Sequence, residues 1–126
     1  LGAGIVRAQF QKDWTMFIRC AFFEGKVKPG CDRAFADFVK ERLLPLWTQF
    51  PGAEEVRVLR QLDSDTDSPH YAMVLAIKYP SREAIELAMA SDVRAQSRAE
   101  TGELIKIFEG RIFHTVFDVA HDVVLA

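Results

Sequence analysis

The stretch His70-Tyr71-Ala72-Met73-Val74-Leu75-Ala76-Ile77-Lys78-Tyr79 decides the fold. Side chains alternate along an extended chain, so Tyr71, Met73, Leu75, Ile77 and Tyr79 share one face. Ala72, Val74, Ala76 and Lys78 share the other. A strand apolar on both faces belongs in the middle of a sheet whose two sides are covered. Pro80 and Ser81 end it. Just upstream, Val56 to Leu62 forms a second strand, and the acidic run Asp63-Ser64-Asp65-Thr66-Asp67-Ser68-Pro69 between them is the exposed loop of a hairpin.

Working outward, Met16 to Glu24 (MFIRCAFFE) is rich in β-formers and bounded by Gly25. Ile18, Cys20 and Phe22 lie on one face, and Phe17, Arg19, Ala21 and Phe23 on the other. Pro29-Gly30 marks a turn and Asp32 a helix N-cap. Phe35, Phe38, Val39, Leu43, Leu46, Trp47 and Phe50 then follow a helical stripe without a gap. Pro45 lacks a backbone donor, which predicts a bend or an end near Leu44, and Pro51-Gly52 stop the element. After the central strand, Ser81 caps a helix with Ala84, Ile85, Ala88 and Met89 inward. Ser91-Asp92 opens another from about Val93 to Phe108, with Leu104, Ile105 and Phe108 inward, Gly102 weakening its middle and Glu109-Gly110 ending it. Arg111 to Val119 is the last strand. It carries Phe113, Thr115, Phe117 and Val119 on one face and Ile112, His114, Val116 and Asp118 on the other. The tail 120–126 is apolar enough to add a short pairing segment.

The order is β-α-β-β-α-β. With right-handed crossovers it gives an α+β, ferredoxin-like, four-stranded antiparallel sheet with its helices on one face. The first and third strands offer no polar face to water, and an apolar patch as large as a sheet face is rare on monomers. Two sheets packed face to face in a symmetric homodimer resolve this. The competing arrangement has the N-terminal arm and the C-terminal tail cover that face in a monomer.

Length sets one domain: 126 residues, read as an arm or leader over 1–15 and a barrel domain over 16–126. The arm is either a native extension or a leader ahead of Met16. Hydrophobic residues make up 49% and charged residues 27%, which excludes disordered and collagen-like chains. The net charge of −2 and the acidic loop argue against nucleic acid as a partner. No apolar run reaches the roughly 18 residues of a membrane span. Leu1 to Val6 is apolar but short and lacks a basic flank, so it is not read as a signal peptide. Two cysteines, Cys20 and Cys31, fit neither a disulfide framework nor a zinc pattern, and a cytoplasmic location is expected.

From Met16 to Asp118 the chain resembles the dimeric α+β barrel superfamily. Tyr79-Pro80-Ser81-Arg82-Glu83-Ala84, followed by Ala88 to Gln96, is similar to the strand-to-helix passage of antibiotic-biosynthesis monooxygenases. Met89-Ala90-Ser91-Asp92-Val93-Arg94 resembles the branch of EthD and methylmuconolactone isomerase. Late in the first helix the EthD-type His-Ala-Pro-Leu run corresponds to Leu43-Leu44-Pro45-Leu46, which keeps the proline and replaces the histidine. Ala88 and Met89 stand where monooxygenase-type relatives often carry a histidine. The resemblance implies a cofactor-independent monooxygenase or isomerase acting on a small aromatic, quinone-like or lactone compound. The alternative is a non-catalytic homodimeric ligand-binding or stress-associated module.

Neither a metal nor another cofactor is expected. No clustered histidine or cysteine spacing occurs, and His114 and Asp118 lie about 13 Å apart along one strand. Cys31 sits near a helix start without a histidine or acid partner in sequence, and Cys20 reads as a core thiol. Arg19 and His114 each interrupt an apolar strand face, and a buried charge needs a partner, for which Asp118 is a candidate. His114, or His70 at the mouth of the third strand, is the candidate proton acceptor. Arg19 or Tyr71 is the candidate oxyanion donor. Phe22, Trp47, Tyr71, Met73, Tyr79, Phe108, Phe113 and Phe117 are candidate walls for an apolar or aromatic ligand, where the bend at Pro45 opens a gap beside Trp47. A pocket of roughly 300 Å³ or more with a histidine or arginine on its wall favours the enzyme over the binding module.

Overall fold

The computed structural model describes residues 16–126, so the arm 1–15 lies outside the described residues. Four strands form one antiparallel sheet in the order β2-β3-β1-β4. They are β1 (Phe17–Val27), β2 (Glu55–Leu59), β3 (Tyr71–Tyr79) and β4 (Phe108–Asp118). The helices are α1 (Asp32–Phe38), α2 (Leu44–Trp47), α3 (Arg82–Met89) and α4 (Asp92–Leu104). This is the ferredoxin-like α+β arrangement that the alternation of elements predicts, with β3 and β1 central as their apolar faces require.

The core lies between the helices and one face of the sheet. Ala21 and Phe23 of β1, Met73, Leu75, Ile77 and Tyr79 of β3, and Phe108 of β4 meet Phe35, Val39, Leu43, Trp47, Ile85, Ala88 and Leu104. Two serines start the helices as expected. Ser81 Oγ accepts from the Ala84 N–H at 3.0 Å, and Ser91 Oγ from the Arg94 N–H at 3.2 Å. Cys31, not Asp32, occupies the N-cap of α1, and its thiol makes no capping bond.

Several boundaries differ from expectation. Pro45 does not end the first helical region. The chain widens into a π-helical turn over Val39–Leu43 and resumes as α2 with the proline in its first turn. The wider turn removes the i−4 carbonyl that the proline ring would strike. Gly25 does not end β1, nor does Gly110 end a helix. The two residues pair in register across β1 and β4 with φ of 142° and 153°. A Cβ on either would collide with the backbone of the other strand, so two turn-formers become the point of closest approach in a long ribbon. Consequently α4 stops at Leu104, a single 3-10 turn spans Ile105–Ile107, and Phe108 opens β4. The tail 120–126 adds no strand; the last ladder bond runs from the Val119 N–H to the Met16 carbonyl at 2.9 Å.

A β-bulge has the largest effect on the site. Phe23 pairs with Met73 but Glu24 pairs with Tyr71, so Ala72 is an extra residue in β3. The parity of the strand flips there. Tyr71 therefore leaves the face of Met73 and joins Phe22 on the side away from the helices, with ring centroids 5.5 Å apart. Phe113 of β4 stacks on Phe22 at 5.0 Å, and the Arg111 guanidinium covers Phe113 at 4.9 Å. Ile18, Cys20, Val74, Ala76 and Phe117 share this helix-free face, where Phe117 is 48% and Leu59 49% exposed. Cys20 is buried, and burial raises its thiol above the ordinary value.

Candidate active site

A cavity of about 440 Å³ opens between α4 and the helix-side face of the sheet. Register explains which side chains reach it. Ala21 pairs with His114 and Arg19 with Val116, so Arg19 and His114 are diagonal neighbours on one face of adjacent strands, roughly 7–8 Å apart at the backbone. Both line the cavity, with Ala21, Phe23, Leu75, Ile77 and Ile112 forming the rest of its floor. Trp47 and Phe50, which end the first helical region, form an aromatic wall.

The opposite wall was not anticipated from sequence. Arg94, Ser97, Arg98, Thr101, Gly102 and Ile105 line the cavity. Their spacing of three, four, seven, eight and eleven residues is one helix face. A helix face turned toward a sheet is ordinarily apolar, so Arg, Ser, Arg and Thr at these positions were the signal available in sequence. Ser97 is buried and its hydroxyl donates to the Arg94 carbonyl at 2.9 Å. The Thr101 hydroxyl donates to the Ser97 carbonyl at 2.8 Å. Both hydroxyl hydrogens are thus turned back on the helix, which leaves the guanidinium groups and His114 as the free polar groups of the cavity. Gly102 leaves room, since a Cβ there would meet no atom within 4 Å.

The electrostatics are one-sided. Among the described residues no carboxylate lies within ion-pair distance of Arg19, Arg94 or Arg98, nor of the exposed Arg60 and Arg82, whereas Arg33, Arg42, Arg57 and Arg111 each have one. Asp118 pairs in register with Phe17 and does not neutralise Arg19. Burial, then Arg94, lowers the Arg19 guanidinium below its ordinary value, against a small opposing effect of Tyr79. Burial and Arg98 act likewise on Arg94. His114 is exposed to solvent on one side, yet desolvation by the cavity walls, followed by the charges of Arg19, Arg94 and Arg98, pushes its imidazole down to about 4. It is a neutral imidazole at pH 7.

The remaining candidates separate. Met73, Tyr79 and Phe108 are core residues under the helices. The buried Tyr79 hydroxyl has no hydrogen-bond partner among the described residues, and burial raises its pKa while Arg19 opposes. Phe22, Tyr71, Phe113 and Phe117 lie across the sheet from the cavity and cannot line it. His70 is four residues further along the sheet, about 13 Å; its carbonyl accepts from the Gly25 N–H at 2.8 Å, and it borders a separate shallow cleft with Lys26, Asp32, Arg60 and Gln61. No group of three or more metal-ligating side chains occurs among the described residues, and no helix of the described chain is long and apolar enough to cross a membrane.

Solved structures share this architecture. The chain has a ferredoxin-like fold. An EthD-family protein from Bacillus halodurans superposes with a TM-score of 0.62 at 20% identity, covering 81% of this chain and 96% of that one. A monooxygenase, ActVA-Orf6 of Streptomyces coelicolor, solved with the ligand nanaomycin D, gives 0.63 at 12% identity over 94% and 100%. A dimeric protein of ferredoxin-like fold from Bacteroides fragilis gives 0.61 at 9% identity over 82% and 96%. Neither a protein-family model nor a curated protein sequence matches the chain.

Proposed function

We propose that this protein is a homodimeric α+β barrel that binds a small aromatic, quinone-like or lactone compound in the cavity beneath α4 and transforms it without a cofactor. The observation that carries the reading is the 440 Å³ cavity with Arg19 and His114 on one wall, which meets the size and polarity expected of an enzyme site rather than of a filled core. Trp47 and Phe50 provide the flat apolar surface for a ring. His114 takes a proton from an acidic C–H or phenolic O–H, and Arg19 holds the oxyanion that forms. Tyr71, on the other side of the sheet, drops out of that role. Return of the proton to a different carbon makes the protein an isomerase. Reaction of a phenolate with dioxygen at a ring carbon that bears hydrogen, which becomes a quinone carbonyl while that hydrogen and the phenolic proton leave with the second oxygen atom as water, makes it a monooxygenase in which the substrate is the only reductant.

Dimerisation is proposed for the helix-free face. Phe22, Tyr71, Phe113 and Phe117 form an aromatic row across three strands there, and a second sheet is the cover that such a face fits. A thermal-shift and oxygen-uptake screen of phenols, hydroquinones and lactones tests the chemistry. Turnover of at least one class, lost in His114→Ala, is expected. Retained turnover in that variant removes His114 as the base, and binding without turnover of any class leaves the non-catalytic module. Solution mass tests the assembly: twice 14.3 kDa is expected, and a lone chain of that mass overturns it.

A further inference from the structure

We propose that the cavity recognises its ligand by a carboxylate, which Arg19 and Arg94 clamp from opposite walls while Arg98 at the mouth draws it in. This rests on the cavity being the ligand site, as proposed above, and adds the charge and functional group of the ligand.

The first argument is segregation of charge. The chain has 18 acidic residues and a net charge of −2, yet among the described residues no acidic one lines this cavity, while three arginines and a histidine do. Three cations without a counter-ion repel one another. Arg94 lowers the pKa of Arg19, and Arg98 that of Arg94. A purely structural cluster would acquire carboxylates, as Arg42 does from Glu100 at 2.8 Å. A cluster left without them is arranged for an anion that arrives from solution.

The second argument is the shape of the donors. Arg19 projects from β1, and Arg94 and Arg98 stand one turn apart on α4, so arginine side chains line the cavity from two sides. Planar guanidinium forks match the two oxygens of a carboxylate. Phosphate is the other common anion, but it favours the free N–H groups of a helix start. Here the cavity runs along the side of α4, and the Arg94 N–H is already bonded to Ser91 Oγ. Trp47, Phe50 and Ile112 accept the ring to which the carboxylate is attached.

The clamp also couples to the base. The groups facing His114 are Arg19 from β1 and Arg94 and Arg98 from α4, with Tyr79 of β3 acting on Arg19. Their positive field keeps the imidazole unprotonated and weakly basic when the cavity is empty. A carboxylate bound among them offsets that field and raises the basicity of His114 only when ligand is present.

Calorimetry on the full chain, with benzoate, benzamide, phenol and inorganic phosphate as probes, tests this, together with a histidine NMR titration with and without benzoate. Benzoate is expected to bind at least about tenfold more tightly than isosteric benzamide, since hydrogen bonds to charged groups are each the stronger kind. Arg94→Gln should reduce benzoate to the affinity of benzamide, Arg94→Lys should restore part of the difference, and the His114 titration midpoint should rise with benzoate and not with benzamide. Equal binding of benzamide, tighter binding of phosphate, or an unchanged affinity in Arg94→Gln overturns the proposal. Binding of phenol without benzoate overturns the carboxylate clamp alone and leaves the ligand site standing. Failure of all four probes, together with failure of the wider screen above, overturns both.

Discussion

Arg19→Met distinguishes a ligand-binding arginine from a structural one. Arg19 is half-buried on β1, flanked on its face by Phe17 and Ala21, and has no carboxylate partner among the described residues. Burial and Arg94 both oppose its charge. Methionine fills a similar volume, keeps the aliphatic contact with the floor of the cavity and removes the repulsion. Replacing fully buried ionic groups by packed apolar ones stabilises by about 1–4 kcal/mol in favourable cases. Arg19 is only partly desolvated, so the low end applies, about 1 kcal/mol. For a chain of this length that corresponds to a rise of roughly 4 °C in Tm. The measurement is a calorimetric or fluorescence melt of both proteins without ligand, at the same protomer concentration because association shifts Tm. The same variant should lose the Tm increase that an added carboxylate gives the wild type. A structural ion pair would behave in the opposite way, because deleting one partner strands the other at a cost of about 3–5 kcal/mol. A fall in Tm of several degrees therefore refutes the view that Arg19 is held ready for a ligand.

Four further outcomes follow from particular contacts. Gly102 lies in α4 with open space where its Cβ would be, so Gly102→Ala should stabilise the protein by about 0.5–1 kcal/mol in urea titrations, and Gly102→Phe should block probe binding by entering the cavity. Gly110→Ala places a methyl group against the Glu24 carbonyl and the Gly25 Cα across the ribbon, and should cost about 3 kcal/mol or more; a loss under about 1 kcal/mol would show that the strands can separate there. His114 is pushed down to about 4 from an ordinary 6.5, so the unfolded chain binds its proton first as pH falls. That contribution is complete above pH 6.5 and is lost between 6.5 and 4. After discounting for the partly open side chain it amounts to about 1 kcal/mol, by which His114→Gln should flatten the acid limb of stability against pH.

The frame was legible because its signals are local. The nearly unbroken apolar run over Tyr71–Tyr79 and the hydroxyl caps at Ser81 and Ser91 each specify an element without reference to the rest of the chain. What failed in sequence depends on pairing. Gly25 reads as a terminator until it is placed opposite Gly110, where two glycines allow the ribbon to continue. Tyr71 shares a parity with Met73 until Ala72 bulges and turns the ring to the other side of the sheet. The same reasoning applies to the candidate site. Arg19 and His114 stood out as polar residues on apolar strand faces. That they meet is a matter of register, since Ala21 opposite His114 puts the imidazole beside Arg19, whereas a slip of one residue would have put Phe113 there. The aromatic residues first grouped as one ligand wall divide for the same reason. Phe113 and Phe117 share the parity of Phe22 and face away from the helices, while Trp47 faces the cavity. A polar stripe on α4 becomes interpretable only once the crossover lays that helix over the strand pair bearing the other two groups. Composition shows that the chain has enough arginine to bind an anion. Only the register between β1 and β4, together with the phase of α4, determines that three of those arginines surround one histidine with no carboxylate of the described residues among them.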